Sequence, residues 1–210
     1  MLNRYARAFF TTLLTPVAKV FLKLGISPDI VTVVGTCGVS VGALAFYPRH
    51  EFLIGTIVIT AFVFSDTIDG IMARTSGRSS NWGAYLDSTL DRVGDAAVFG
   101  GLVLWYAGDG HQPYMAGLAL ACLILGSVVS YAKARAEGLG YTANVGIAER
   151  ADRLVAVLAT TGLVGWFLPE IVLTVVLSLL ALASLITIFQ RILTVRRQAL
   201  DAASSAAASA

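Results

Sequence analysis

Six apolar stretches, each about long enough to cross a membrane, follow one another along the chain. They cover residues 30–47, 52–73, 83–107, 113–136, 152–168 and 171–193. A helix needs roughly 20 apolar residues to cross the hydrocarbon layer, and none of these stretches alternates polar and apolar residues as a membrane β-strand would. The pattern therefore predicts an all-α integral membrane protein in which six transmembrane helices occupy residues 30–193.

The segments before and after these stretches have a different composition. Residues 3–23 combine aromatic and aliphatic residues with four cations, which predicts an amphipathic helix at the membrane interface with a break near Pro16. The last residues, 198–210, are mostly alanine and serine, and we expect them to be disordered. Residues 1–197 are thus predicted to form a single membrane domain.

Composition and charge placement agree with a membrane protein. Charged residues make up 13% of the chain, against about 25% in soluble domains. With six spans, 14 of the 15 Lys and Arg residues fall on the side that holds both termini, and only Arg49 falls opposite. The positive-inside rule makes that side cytoplasmic, so we expect a multi-pass plasma-membrane protein with both termini and its active site facing the cytoplasm. We expect no nucleic-acid partner.

Four aspartates stand at helical spacing inside the second and third stretches. Asp66 and Asp69 share one helical stripe with Gly70, Ala73 and Arg74, and the second stripe contains Gly83, Asp87 and Asp91. An aspartate at the centre of a membrane helix costs about 2.5–3.5 kcal/mol on insertion scales. Four of them indicate a polar cavity that binds something cationic.

The ligand chemistry of this set suggests which cation. Carboxylate oxygens are hard ligands that suit Mg²⁺, or alternatively Mn²⁺, and neither histidine nor cysteine joins the cluster as a zinc site would require. Two facing stripes can hold one ion or a pair.

The full pattern D-x2-D-G-x2-A-R-x8-G-x3-D-x3-D resembles the signature of the CDP-alcohol phosphotransferase family. The resemblance implies an enzyme that transfers a phosphatidyl or related group from a CDP-linked donor, here CDP-diacylglycerol, to an alcohol and releases CMP. It also implies a homodimer and assigns roles to matching residues. The implied metal ligands are Asp66, Asp69, Asp87 and Asp91, with Asp91 also the base. The implied donor contacts in this motif are Asp69, Gly70, Arg74, Ser80 and Gly83.

A second element precedes the first stretch. The run Pro28-Asp29-Ile30-Val31-Thr32 matches the family's P-N/D-x-x-T element, which implies that residues Asp29, Ile30, Val31 and Thr32 line the cytidine site. A purely structural interpretation also fits, because Pro28 or Asp29 can cap a helix while the Thr32 hydroxyl bonds to a backbone carbonyl. The nucleotide-binding role and the structural role of this element are compatible.

Cations just inside the later stretches are candidates for binding an anionic acceptor. Lys133, Arg153 and Arg191 lie within predicted spans, although positive-inside flanking and snorkelling also explain such residues. The segments SYAKARAE and GIAERADR, with the terminal arginines, make the chain resemble the phosphatidylinositol phosphate synthases of actinobacteria. That resemblance implies inositol phosphate as acceptor and phosphatidylinositol phosphate as product.

Several alternatives remain open at this point. A phosphatidylglycerophosphate synthase would use glycerol 3-phosphate instead, and buried aspartates also occur in ion-coupled membrane transporters. Asp95 continues the Asp87–Asp91 stripe and is either a fifth ligand or a partner for a neighbouring side chain. Gly38 and Gly42 form a GxxxG pair that serves either helix packing within the chain or oligomerisation.

Overall fold

The computed structural model describes residues 2–77, 80–147 and 149–208, and their side chains except at 2–12, 66 and 206–208. In this part of the chain the regular structure is helical, with one short 3₁₀ turn at Tyr47–Arg49, so the all-α prediction is confirmed. The helices are α1 Leu2–Lys23, α2 Pro28–Phe46, α3 Phe52–Val63, α4 Ser65–Thr75, α5 Asn81–Ala107, α6 Pro113–Gly138, α7 Arg150–Val164 and α8 Glu170–Ala208.

A serine, a proline and a glycine determine where the helices near the motif begin and end. The Ser27 hydroxyl accepts a hydrogen bond from the N–H of Ile30, and Pro28 occupies the first turn of α2. Ser27 is therefore the cap, and the prediction that Pro28 or Asp29 caps was wrong. After α4, Gly77 adopts a positive φ of 67°, a conformation that only glycine adopts without strain and that ends the helix.

The chain divides into two compact units, Met1–Gly101 and Leu102–Ala210, and the division falls within α5. In the first unit, α2 packs on α3 and α4, and α1 packs on α4. An apolar cluster of Ala18, Val31, Ile71 and Met72 joins α1, α2 and α4. Hydrophobic burial thus fixes the motif helix α4 between the N-terminal helix and α2.

Glycines let α2 approach α3 closely in the first unit. A Cβ on Gly38 would stand 2.2 Å from the Phe62 ring, and one on Gly42 would stand 3.0 Å from Val58 Cγ1. The GxxxG pair therefore serves packing within the chain, as one of the two alternatives proposed. On α5, Gly101 makes a similar approach to the backbone of Ala43, where a Cβ would lie 2.8 Å from the carbonyl oxygen.

In the second unit, α8 packs along α6 and α7. Leu173 and Leu177 of α8, Met115 and Ala119 of α6 and Val157 of α7 are completely buried. The Cys122 thiol donates to the carbonyl of Leu177 at 3.2 Å. This unit is therefore a helix bundle with an apolar core and without a cysteine cross-link.

Four helical stretches of the described chain are long and apolar enough to cross a membrane. They are Pro28–Arg49, Phe52–Thr75, Pro113–Gly138 and Glu170–Ser205. These agree with the first, second, fourth and sixth predicted spans. The third and fifth correspond to α5, which carries a charged cluster in its first half, and to α7, which is only 15 residues long. The protein is thus an all-helical membrane protein, and its span count of six stays a prediction.

The predictions for Pro16 and for the C-terminal tail were wrong, and one predicted span consists of two helices. Helix α1 continues through Pro16 rather than breaking there, and this proline is exposed, where water or headgroups can satisfy the carbonyl that lacks its N–H partner. The stretch 52–73 contains two helices, separated at Phe64. The expected disorder at 198–210 is contradicted over 198–208, where α8 continues because alanine has the highest helix propensity; the last two residues lie outside the described chain.

We expect Gly35→Ala to destabilise the protein, because a Cβ there would stand 1.7 Å from Ser65 Oγ, at the start of α4. Overpacking of this kind costs about 1–3 kcal/mol. The measurement is thermal unfolding of the detergent-solubilised protein. Gly100→Ala is the matched control, since no heavy atom lies within 4 Å of its added Cβ. Equal melting temperatures for the two variants would contradict the close approach.

Candidate active site

A polar cavity of about 400 Å³ lies within the first unit. Its walls come from the first turn of α2, one face of α4, the turn before α5 and the first two turns of α5. The lining residues are Pro28, Asp29, Thr32, Asp69, Gly70, Ala73, Arg74, Ser80, Gly83, Ala84 and Asp87. The two sequence elements that were identified separately, at 28–32 and 66–91, thus meet at one cavity.

Helix α2 contributes Asp29 and Thr32, which lie on the same face because they are three residues apart. The Thr32 hydroxyl is 2.5 Å from Asp69 Oδ2 and 3.1 Å from the carbonyl oxygen of Pro28. Its single proton can be donated to only one of these oxygens at a time. The Thr32 hydroxyl is therefore within hydrogen-bond distance both of the predicted backbone carbonyl and of Asp69 on the motif helix α4.

Ile30 and Val31 occupy other faces of α2. Ile30 is exposed, and Val31 is buried in the apolar cluster with Ala18 and Met72. Neither is among the described residues that line the cavity. The sequence element contributes side chains to the cavity only through Pro28, Asp29 and Thr32, since the helical turn directs the two intervening residues elsewhere.

Helix α4 presents Asp69, Gly70, Ala73 and Arg74 to the cavity. Asp69 is only 7% exposed, whereas Arg74 is exposed. A Cβ on Gly70 would stand 3.4 Å from Arg74 Nη1, an ordinary contact distance. A buried acceptor and an exposed guanidinium therefore border the same cavity, as the predicted stripe requires. The side chain of Asp66 lies outside the described residues.

Helix α5 begins at the cavity. The Ser80 hydroxyl accepts a hydrogen bond from the N–H of Gly83 at 3.0 Å, so this serine caps α5 while it lines the cavity. The nearest atoms to a Cβ on Gly83 would be Ser80 Oγ at 3.4 Å and Asp29 Oδ1 at 3.9 Å. Gly83, one of the implied donor contacts, therefore faces the cavity.

Asp87 lines the cavity, but Asp91, one turn further along α5, is not among the described lining residues. Arg92 Nη2 lies 3.8 Å from Asp91 Oδ2 and 3.3 Å from Asp95 Oδ2. Asp95 is buried and paired with its helix neighbour Arg92, which agrees with the structural one of its two alternatives. This arginine also offsets charge next to the predicted base.

The charges of the cavity favour a cation. Three carboxylates, Asp29, Asp69 and Asp87, line it with Arg74 as the sole cation among the described lining residues, and no histidine or cysteine is among them. An all-oxygen, anionic set suits Mg²⁺ or Mn²⁺. The described side chains contain no group of three carboxylate, His or Cys residues already close enough to hold a metal ion. A complete site would therefore draw on Asp66, whose side chain is not described.

The three predicted acceptor residues belong to the second unit. Arg153 and Arg191 are 3% and 5% exposed. Arg153 Nη2 donates to the Gly126 carbonyl at 3.4 Å, and Arg191 donates through Nη1 to the Val129 carbonyl and through Nε to that of Val145 at 3.0 Å. Both guanidinium groups thus bond to backbone carbonyls of α6 that are three residues apart.

Lys133 lies one further turn along α6, and its Nζ is 3.9 Å from Glu137 Oε1 in an exposed pair. Positions 126, 129 and 133 share one face of a helix. All three predicted cations therefore lie along one face of α6, over about 10 Å. Arg153 and Arg191 bond to its carbonyls, and Lys133 is one of its residues.

Sequence reasoning missed one polar contact at the cavity. Trp82 Nε1 donates to Asp29 Oδ2 at 3.2 Å. These residues are 53 positions apart, so no local pattern connects them. Ala73 and Ala84 also line the cavity; only Ala73 is part of the motif spacing, and its small side chain leaves room beside Asp69.

Comparison with known proteins identifies the family. The family model described as CDP-alcohol phosphatidyltransferase matches residues 25–188. The chain belongs to this family. The matched region contains both sequence elements of the cavity, so the family signature and the geometry coincide.

Relatives within the family are similar along most of the chain. The phosphatidylinositol phosphate synthase of Streptomyces avermitilis is 53% identical over 214 residues, covering 99% of this chain and 88% of that protein. A crystal structure of Mycobacterium tuberculosis phosphatidylinositol phosphate synthase with CDP-DAG bound is 40% identical, with a TM-score of 0.84, and covers 88% of this chain and 94% of its own. The same enzyme with manganese and citrate has a TM-score of 0.83 at 40% identity, over 87% and 88% of the two chains.

We expect Thr32→Val to destabilise the protein, because it leaves buried Asp69 without this hydroxyl donor. A hydrogen bond to a charged group is worth about 1.5–3 kcal/mol. Thr32→Ser, which retains the hydroxyl, is the control and should unfold near the wild-type temperature. A thermal-unfolding cycle with Asp69→Ala checks the coupling. If Thr32→Val lowers the unfolding temperature as much in the Asp69→Ala protein as in the wild type, the Thr32–Asp69 contact does not contribute to stability.

Proposed function

We propose that the protein transfers the phosphatidyl group of CDP-diacylglycerol to a hydroxyl of inositol phosphate, giving phosphatidylinositol phosphate and CMP. The cavity carries the proposal, because it joins the Asp29–Thr32 element to the aspartate motif in one polar space. The relatives support it, since proteins 53% and 40% identical over most of the chain are named phosphatidylinositol phosphate synthases.

The donor is proposed to bind in this cavity. Arg74 presents a planar guanidinium that suits the donor phosphates, and its exposure leaves it free to move toward them. Gly70 and Gly83 remove side-chain bulk from two walls, which lets the nucleotide approach the helix backbones. Asp29, Thr32 and Ser80 supply the polar groups that orient it.

A divalent ion, Mg²⁺ or Mn²⁺, would be held by Asp66, Asp69, Asp87 and Asp91. When bound, it supplies positive charge that polarises the donor phosphate and stabilises the departing CMP. The excess of carboxylates at the cavity supports this ligand set. The Thr32–Asp69 contact would keep one ligand oxygen in a fixed position.

The reaction forms a bond between the acceptor oxygen and the phosphorus that bears diacylglycerol, and breaks the bond to CMP. Asp91 takes the proton of the attacking hydroxyl. Its position one turn beyond Asp87, outside the described cavity lining, suits a role on the acceptor side. Arg92 pairs with both Asp91 and Asp95, which orients the base.

The acceptor phosphate is proposed to bind Lys133, Arg153 and Arg191. All three are associated with one face of α6, which supports a shared anion site. The backbone bonds of Arg153 and Arg191 hold the buried guanidinium groups in place before the acceptor arrives, so little ordering entropy remains to be lost on binding.

In the membrane, we propose that α5 and α7 also cross, giving six spans with both termini and the active site on the cytoplasmic side. The charges of α5 lie in its first half, and residues 96–107 are apolar. The apolar residues Leu13, Val17 and Val20 form an exposed stripe on α1 beside Lys19 and Lys23, which supports an interfacial position. The homodimer stays a prediction.

The purified protein with CDP-diacylglycerol and Mg²⁺ should release CMP when inositol phosphate is added, and release much less with glycerol 3-phosphate. The measurement is CMP formation by chromatography, with EDTA as the metal-free control. Release with glycerol 3-phosphate but not inositol phosphate would assign a phosphatidylglycerophosphate synthase instead. No release with either, together with ion-driven uptake in vesicles, would indicate a transporter.

Asp91→Asn should lower kcat for CMP release by about 10²–10⁴-fold, because an amide cannot take up the proton of the attacking hydroxyl. Asp109→Asn, an exposed aspartate in the loop after α5, is the control and should retain wild-type activity. Thermal unfolding of both variants tests folding. Activity that persists in a folded Asp91→Asn protein would remove Asp91 as the base.

The proposed topology predicts which loops react with a membrane-impermeant maleimide applied to intact cells. Starting from a variant with Cys37 and Cys122 replaced by alanine, Asp109→Cys should be labelled from outside. Ser204→Cys, near the end of α8, should be labelled only after the membrane is opened, because the positive-inside rule places it in the cytoplasm. Labelling of Ser204→Cys in intact cells would overturn the orientation.

A further inference from the structure

Trp82 connects two helices at the edge of the cavity without lining it. It is the second residue of α5, its side chain is 59% exposed, and its Nε1 donates to Asp29 Oδ2 at 3.2 Å. Asp29 lies in the first turn of α2 and is a lining residue. An indole N–H can only donate, and a carboxylate only accepts, so the direction of this bond is fixed.

The bond leaves the two oxygens of Asp29 in different environments. Oδ2 is taken by the indole, whereas Oδ1 lies 3.9 Å from the point where a Cβ on Gly83 would stand, and Gly83 lines the cavity. The terminal torsion of an aspartate is otherwise broad and roughly two-fold. The indole thus selects one orientation, in which Oδ1 is directed toward the Gly83 wall.

We propose that Trp82 is a positioning residue for Asp29: by holding Oδ2 it presents Oδ1 to hydrogen-bond donors of the nucleotide in the donor. The inference rests on the proposed function and extends it to a residue outside the motif. Donors of matching chemistry on a nucleotide are its exocyclic amine and its sugar hydroxyls. A carboxylate oriented in advance loses less entropy when it binds them.

A different role for Trp82 is that of an interfacial anchor. Its ring lies 6.0 Å from that of Tyr85, and both rings are more than half exposed, which is also the arrangement of aromatic residues at a membrane surface. An anchor needs the amphipathic ring but no bond to Asp29. Tyr85 is therefore a matched control, because it shares the exposed surface and, in the part of the chain that the structure describes, makes no hydrogen bond to Asp29.

The test compares Trp82→Phe, which keeps an aromatic ring without its donor, with Tyr85→Phe. We expect Trp82→Phe to raise KM for CDP-diacylglycerol about 3- to 10-fold while kcat changes less than two-fold, since one hydrogen bond is lost. Tyr85→Phe should leave both unchanged. Trp82→His, which retains a ring N–H, should recover part of the affinity. Unchanged KM in Trp82→Phe would overturn the inference.

The coupling to Asp29 separates positioning from a structural role. Adding Trp82→Phe to Asp29→Ala should cause no further rise in KM, and an equal further rise would overturn the inference. If Trp82→Phe does not fold, the same comparison is made with Trp82→His, which should lose less affinity in the Asp29→Ala protein than in wild type.

Equilibrium binding of CDP, by calorimetry with Mg²⁺, distinguishes failure of the inference from failure of the proposed function. A wild-type protein that binds CDP without releasing CMP refutes the transfer reaction, and the same variants then test the inference by their CDP affinity. CMP release together with identical CDP affinity in wild type and Trp82→Phe refutes the inference alone. A wild-type protein that neither binds CDP nor releases CMP overturns both.

Discussion

The first unit depends on the burial of a single carboxylate. Asp69 is only 7% exposed, and a buried ionised group is costly unless it is hydrogen-bonded. The Thr32 hydroxyl, 2.5 Å from Asp69 Oδ2, supplies one such hydrogen bond and thereby holds α2 beside α4. Since α2 brings Asp29 and α4 brings Gly70 and Arg74, this contact determines the spacing of two cavity walls.

Close backbone approach allows this contact to form. Gly35 and Gly38 of α2 leave room for Ser65 and the Phe62 ring, at the point where the helical stretch is interrupted at Phe64. Beyond this interruption, α4 presents its polar face to the cavity.

The carboxylates of the cavity and the buried arginines of the second unit are held in different ways. Among the described lining residues of the cavity, carboxylates outnumber cations, which suits a divalent ion. In the second unit, Arg153 and Arg191 are buried and bonded to backbone carbonyls of α6, so their charge is oriented but not neutralised by those bonds. Fixed cations of this kind suit recognition of a phosphate whose position must be reproducible.

The sequence by itself determined the all-helical membrane character, the aspartate stripes, the Asp29–Thr32 element and the family, because these depend on local period and spacing. Only the tertiary structure decided that Val31 is core rather than cavity and that Trp82 bonds to Asp29. Each of these depends on which side of a helix meets a distant segment. Local periodicity defines the faces of a helix, but packing selects which neighbour each face contacts.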